Sequence, residues 1–185
     1  EARDRERGGR VAVKTIRPGA PRAQALASLE REIEAGRLGH PAIVTVLEGG
    51  RCDRGPFVVL ERRRGETVGE RLTRGPLPVK DAVRVAAAVA RALEHAHARG
   101  VLHRDVKPGN VFLTSAGEIK GIDFGLAHGG GGGGPRGSGT SGYMAPEQRS
   151  GAAEDARTDP FALGLLIHEM GTGAPLLRAD GPRAA

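Results

Sequence analysis

The sequence predicts an α+β fold, and three observations carry that prediction. Short β-type runs, Val11 to Ile16, Ile43 to Leu47 and Phe57 to Leu60, lie in the first third of the chain. One helical stretch, Ala23 to Leu38, lies among them, with Leu26, Leu29 and Ile33 on one side and Glu30, Arg31, Glu32 and Glu34 around it. Beyond residue 65 helical spacing dominates, in Pro78 to Arg99 and Phe161 to Gly171.

Each element has a local reason. Glu1 to Gly9 is charged and ends in Gly8-Gly9, a turn signal. Val11 to Ile16 alternates as a strand and is closed by Pro18-Gly19, which reads as a hairpin whose second strand carries Lys14. Gly49 to Gly55 reads as the turn between the next two strands. Gly65 to Pro78 holds a short helix between Gly and Pro breaks. Pro78 to Arg99 is a long helix with Val79, Val83, Ala86, Val89, Ala90 and Leu93 as its apolar positions, ended by Gly100. Val101 to Asn110 is a loop leading into the apolar run Val111-Phe112-Leu113, and Ile119 to Ile122 is a strand running into Asp123. Gly129 to Gly134 is a low-complexity run of six glycines, whose ordering carries a large backbone entropy cost.

Composition narrows the function classes. With 185 residues the chain can bury a real core as one domain or two small lobes. The net charge of +6 invites a nucleic-acid reading, but the arginines are spread along the chain and aromatics are only 3%, so there is no stacking platform. No nucleic-acid partner is expected. A single cysteine, Cys52, excludes an internal disulfide framework and reads as a lone thiol at a loop or strand end in a reducing compartment. No apolar run is long enough to cross a bilayer, Val83 to Ala98 being interrupted by Arg84, Arg91 and Glu94. His95 and His97, at i and i+2, point to different faces and are not read as a metal site.

The chemistry concentrates in Val101 to Asn110. Asp105 can orient a hydroxyl nucleophile and take its proton, Lys107 can offset charge on a phosphoryl group, and Asn110 offers an oxygen to a magnesium ion. The stretch His103-Arg104-Asp105-Val106-Lys107-Pro108-Gly109-Asn110 resembles the catalytic loop of eukaryotic-like (Hanks-type) bacterial Ser/Thr protein kinases. Further matches follow in order. Val11-Ala12-Val13-Lys14 resembles the V-A-x-K strand, Asp123-Phe124-Gly125 matches D-F-G, Ala145-Pro146-Glu147 matches A-P-E, and Asp159 resembles the aspartate opening the next helix.

That resemblance implies a bilobal protein-kinase-like fold. Residues 1–60 would form a small antiparallel β lobe with one C-helix, 61–64 the hinge, and 65–185 a mainly helical lobe. No G-x-G-x-x-G precedes Lys14, and the family's late helices do not follow Gly171, so the resemblance implies a domain truncated at both ends. The same resemblance leaves Glu147 without a visible partner.

The implied activity is Mg2+-dependent transfer of the ATP γ-phosphoryl group to Ser or Thr hydroxyls of protein substrates. Asp105 and Lys107 would be catalytic, and Asn110 and Asp123 would hold Mg2+. Lys14, braced by Glu32 with Glu30 and Glu34 as alternates, would hold the ATP phosphates. Backbone groups of Glu61 and Arg63 would read the adenine edge, Leu60 would close the back of the pocket, and Ala12 and Phe112 would sandwich the ring. Arg104 would pair with an activation-loop phosphate, with Ser138 and Ser141 as candidate acceptors, while Thr140 resembles the threonine that bonds the catalytic Asp and Lys. The implied setting is cytoplasmic bacterial signalling, with room for a membrane anchor outside this stretch. Two rival readings are a pseudokinase acting as a binding module and a kinase-like small-molecule phosphotransferase.

Overall fold

Apolar alternation and glycine-tight packing build the first sheet. In the computed structural model, which describes residues 2–3, 8–15, 33, 36–53, 55–62, 64–115, 119–120, 141–178 and 181–182, four antiparallel strands run in the order β1-β2-β4-β3. These are β1 (Ala2–Arg3), β2 (Arg10–Thr15), β3 (Val46–Cys52) and β4 (Gly55–Glu61). On β2, Ala12 lies opposite Leu60 and Lys14 opposite Val58. The period of two puts these four residues on one face of the sheet.

The hairpin β3–β4 corrects one expectation. Gly49 and Gly50 are not turn residues but lie inside β3, opposite Val58 and Phe57. A Cβ at Gly49 would come within 2.5 Å of Ile33 Cδ1, so glycine is needed there because a neighbouring side chain occupies the space. Gly36, helical like Ile33, is tighter still, since its Cβ would meet Val46 Cγ2 at 2.1 Å. Cys52 ends β3, exposed, as expected of a strand-end thiol.

A second sheet, ordered β5-β6-β7, follows the hinge region: β5 (Gly65–Thr67), β6 (Phe112–Thr114) and β7 (Ile119–Lys120). Phe112 sits between Thr67 on one neighbour and Lys120 on the other. Helix α1 (Val68–Leu72) starts at a capping box, in which Thr67 Oγ1 accepts from Glu70 N at 3.0 Å and Glu70 Oε2 accepts from Thr67 N at 2.7 Å.

The core of the larger lobe is made by α2 (Val79–His97) and α4 (Thr158–Thr172), joined by Leu77 N donating to Met170 O at 2.8 Å. Between them in sequence lies the short α3 (Pro146–Ser150), and the described chain ends in the two-residue pair β8 (Leu177–Arg178) and β9 (Gly181–Pro182). Val85, Val89, Ala92, Leu93 and Ala96 of α2 are buried together with Leu166 and Met170 of α4. The expected apolar face of α2 is therefore rotated. Val89 and Leu93 face inward, but Val79 and Val83 are 78% and 61% exposed. Four alanines of α2, Ala82, Ala88, Ala92 and Ala96, are buried beside Val85, Val89 and Leu93, and none of the four was among the expected apolar positions.

Candidate active site

Asp159 is the anchor on which the loop from Val101 to Val111 is hung. It is fully buried in the first turn of α4. Its Oδ2 accepts from His97 Nε2 at 2.6 Å and from the backbone N–H of His103 at 2.9 Å, while Oδ1 accepts from the N–H of Arg104 at 2.7 Å. One carboxylate thus ties the end of α2 and two consecutive loop amides to α4. His95 does different work, its Nε2 meeting the backbone carbonyl of Leu38 at 2.7 Å, so the two histidines diverge as their spacing requires.

The loop reverses at Arg104, a non-glycine residue at φ +67°. That left-handed conformation costs about 1–2 kcal/mol for an L-residue. Its backbone is held from two sides, the N–H by Asp159 and the carbonyl by Gln148 Nε2 at 2.9 Å, while the guanidinium Nε lies 3.0 Å from the Glu154 carboxylate as an ion pair without hydrogen-bond alignment. Gln148 itself is fixed through Oε1, which accepts from Ala145 N at 3.0 Å. The sequence reading gave no role to Gln148 or Glu154. The partner found for Arg104 is a carboxylate on the segment after α3, while Ser138 and Thr140 lie outside the described residues.

The next residue is Asp105, buried, with its backbone N–H donating to His103 Nδ1 at 3.1 Å. Its Oδ2 accepts from Lys107 Nζ at 2.7 Å and from Asn110 Nδ2 at 2.9 Å. Asn110 Nδ2 also donates to the Asp105 carbonyl at 2.8 Å. A 3-10 turn over Pro108–Asn110 brings Asn110 back to Asp105. Both protons of the Asn110 amide are thereby spent on Asp105, and its Oδ1 is the atom it can offer a cation. Asp105 Oδ1 takes no hydrogen bond from the described residues, which suits an oxygen that receives a hydroxyl proton.

The other expected residues divide into two groups. Lys14, Ala12 and Leu60 share one face of the first sheet, and Phe112 lies half-buried in the second. Glu61 closes β4, and its N–H donates to Thr45 O at 3.0 Å. Glu32, Arg63 and Asp123, with the alternates Glu30 and Glu34, lie outside the described residues. Among the described residues no cluster of three or more His, Cys, Asp or Glu could hold a metal.

Glu147 is corrected. It was expected to lack a partner, but Thr158 Oγ1 donates to its Oε1 at 2.7 Å. The partner is the first residue of α4 and a hydroxyl, so a search for an arginine does not find it.

The protein kinase domain family matches the chain over residues 1–184. The chain belongs to that family. A probable serine/threonine-protein kinase of Streptomyces coelicolor, SCO3848, is 37% identical over 99% of this chain and 29% of its own length. The serine/threonine-protein kinase PknB of Mycobacterium tuberculosis is 35% identical over 98% of this chain and 31% of its own. The chain thus spans about three tenths of the length of these curated relatives. Among solved structures, the kinase domain of Mycobacterium tuberculosis PknI superposes with a TM-score of 0.75 at 33% identity, covering 94% of this chain and 68% of that one. The fold is therefore the bilobal kinase fold, with its small antiparallel sheet and largely helical second lobe, as the motifs imply.

Proposed function

We propose that this kinase domain transfers the γ-phosphoryl group of ATP to Ser or Thr hydroxyls of protein substrates, in bacterial signalling and on the cytoplasmic side. The observation that carries the reading is the Asp105 carboxylate, with Oδ2 held by Lys107 and Asn110 and Oδ1 taking no hydrogen bond from the described residues, as suits a substrate hydroxyl.

The substrate oxygen forms a bond to the γ-phosphorus as the bond to the bridging oxygen breaks and ADP leaves, and the hydroxyl proton passes to Asp105. Lys107, beside Asp105, offsets charge on the moving group. Lys14, braced by Glu32, holds the α- and β-phosphates. Ala12 and Phe112 sandwich the adenine, whose edge meets backbone groups of Glu61 and Arg63. The Asn110 side-chain oxygen suits a hard divalent cation such as Mg2+, which it would hold together with the Asp123 that the D-F-G motif implies. Such a cation would neutralise phosphate charge. Lys107 two residues past Asp105 is the Ser/Thr form of the loop.

Among the described residues no helix is long and apolar enough to cross a membrane. The decisive experiment is transfer of labelled phosphate from ATP to a Ser/Thr peptide by the full-length protein. Transfer that falls at least ~10³-fold in Asp105→Asn supports the reading. Nucleotide binding with no transfer would favour a binding module instead, and transfer only to small molecules would mark the rival phosphotransferase.

A further inference from the structure

Lys120 and Glu61 form a buried ion pair that the catalytic reading leaves unused. Lys120 Nζ lies 2.7 Å from Glu61 Oε1, and the two side chains are 11% and 16% exposed. The same Oε1 accepts from the backbone N–H of Thr45 at 3.2 Å, while Glu61 N donates back to Thr45 O at 3.0 Å. The carboxylate is therefore locked to the strand side before it meets the lysine.

The two partners stand on different sheets. Glu61 ends β4 in the sheet that carries Ala12 and Lys14. Lys120 is in β7, directly opposite Phe112, in the sheet that extends from the Asn110 loop. The sheets share no strand. Beside the pair lies a cavity of about 240 Å³, bounded by Lys120, Thr45, Ile43 and His40.

A buried ion pair is poor value as a source of stability. Desolvating two charges offsets most of their attraction, and an uncharged pair of similar volume is often as stable. What the pair does supply is a fixed distance and direction between the groups it joins.

We propose that the Lys120–Glu61 pair sets the spacing of the two sheets across the nucleotide site, making both side chains positioning residues for ATP. The inference rests on the ATP reading above and extends it. Glu61 is fixed by Thr45 and is the residue assigned to the adenine edge. Lys120 is fixed opposite Phe112, the residue assigned to the lower face of the ring. Drawing the two together sets the slot in which the ring lies.

The test is a double substitution, Lys120→Met with Glu61→Gln, in the full-length protein. It removes both charges and keeps an acceptor for Thr45 N–H. Dissociation constants for Mg-ATP by equilibrium dialysis, KM values for ATP and peptide, and melting temperature are measured together. The expected result is a ~10-fold weaker ATP affinity and a matching rise in KM for ATP, with the peptide KM unchanged, the melting temperature close to wild type, and affinity recovered in Lys120→Arg. A lower melting temperature with unaltered ATP affinity overturns the inference. If the wild-type protein binds ATP without transferring phosphate, the catalytic reading fails, while the affinity comparison still decides the role of the pair. A wild-type protein that binds no nucleotide overturns both.

Discussion

Replacing Asp159 by asparagine keeps the volume of the side chain and removes its symmetry as an acceptor. The native carboxylate receives three hydrogen bonds, two on Oδ2 and one on Oδ1. An asparagine has one acceptor oxygen. If that oxygen takes the place of Oδ2, its NH2 faces the Arg104 N–H at a former distance of 2.7 Å. In the opposite orientation the NH2 faces both His97 and the His103 N–H. Either way at least one buried donor opposes another donor. A hydrogen bond to a charged group contributes about 1.5–3 kcal/mol, and an unsatisfied buried donor costs about 1–3 kcal/mol. Together these give a destabilisation of ~3–5 kcal/mol, within the range for breaking a buried charged network. For a domain of this size that corresponds to a fall of ~6–20 °C in melting temperature. Arg104 loses one of the contacts that hold its left-handed backbone, so Asp105 is also displaced. If ~2.7 kcal/mol of the loss is expressed at the proposed catalytic carboxylate of Asp105, kcat falls ~100-fold. Urea unfolding and peptide phosphorylation at a temperature where the variant stays folded measure the two effects separately. A stability change under ~1 kcal/mol together with a kcat within ~3-fold of wild type would refute the anchoring role.

Gly36→Ala places a methyl group 2.1 Å from Val46 Cγ2, an overpacking expected to cost ~1–3 kcal/mol, and Val46→Ala in the same chain should recover much of it. Additive losses in the double variant would show that the contact is not the cause. Glu154→Gln leaves Arg104 without its carboxylate, and a loss of ~1 kcal/mol of support should lower kcat for peptide ~5-fold with KM for ATP unaltered, read by steady-state kinetics. The pH dependence of stability has a histidine component. His40 is held below its ordinary value near 6.5 by burial first, then by the nearby charges of His95 and Arg91, and its Nδ1 accepts from Ala42 N. Because the folded state disfavours the proton, stability is full above pH 6.5 and declines as pH falls below it toward the depressed folded value. Urea midpoints across that window should decline less steeply in His40→Gln.

The elements that announced themselves in the sequence are those whose signals are local. Gly100, at φ +74° after α2, and the alternation around Lys14 in β2 both act within a few residues. Gly49 and Gly50 misled because glycine serves two purposes. A turn glycine supplies backbone freedom, whereas these two make room for Ile33 and Phe57. Which purpose applies depends on a partner far along the chain. The rotated face of α2 has the same origin. Alanine carries little hydrophobic signal, yet Ala92 and Ala96 are wholly buried.

The site divides along a similar line. Asp105, Lys107 and Asn110 stand within six positions, and the short turn at Pro108–Asn110 is enough to bring them together. Their supports come from elsewhere: Asp159 from 54 positions beyond Asp105, and Gln148 and Glu154 from α3 and the segment after it. A motif records the groups that chemistry needs at fixed spacing along a loop. It does not record the residues that hold that loop in a costly conformation, because many side chains in many places can supply one more carboxylate or amide. Arg104 at φ +67° makes the point. Its identity was legible, its strain was not, and the strain persists only because Asp159, Gln148 and Glu154 each hold a different part of the same residue. Asp105, the proposed catalytic aspartate, is thus placed by residues with no chemical part in the proposed reaction, and substitutions at those residues should alter turnover without touching a reacting atom.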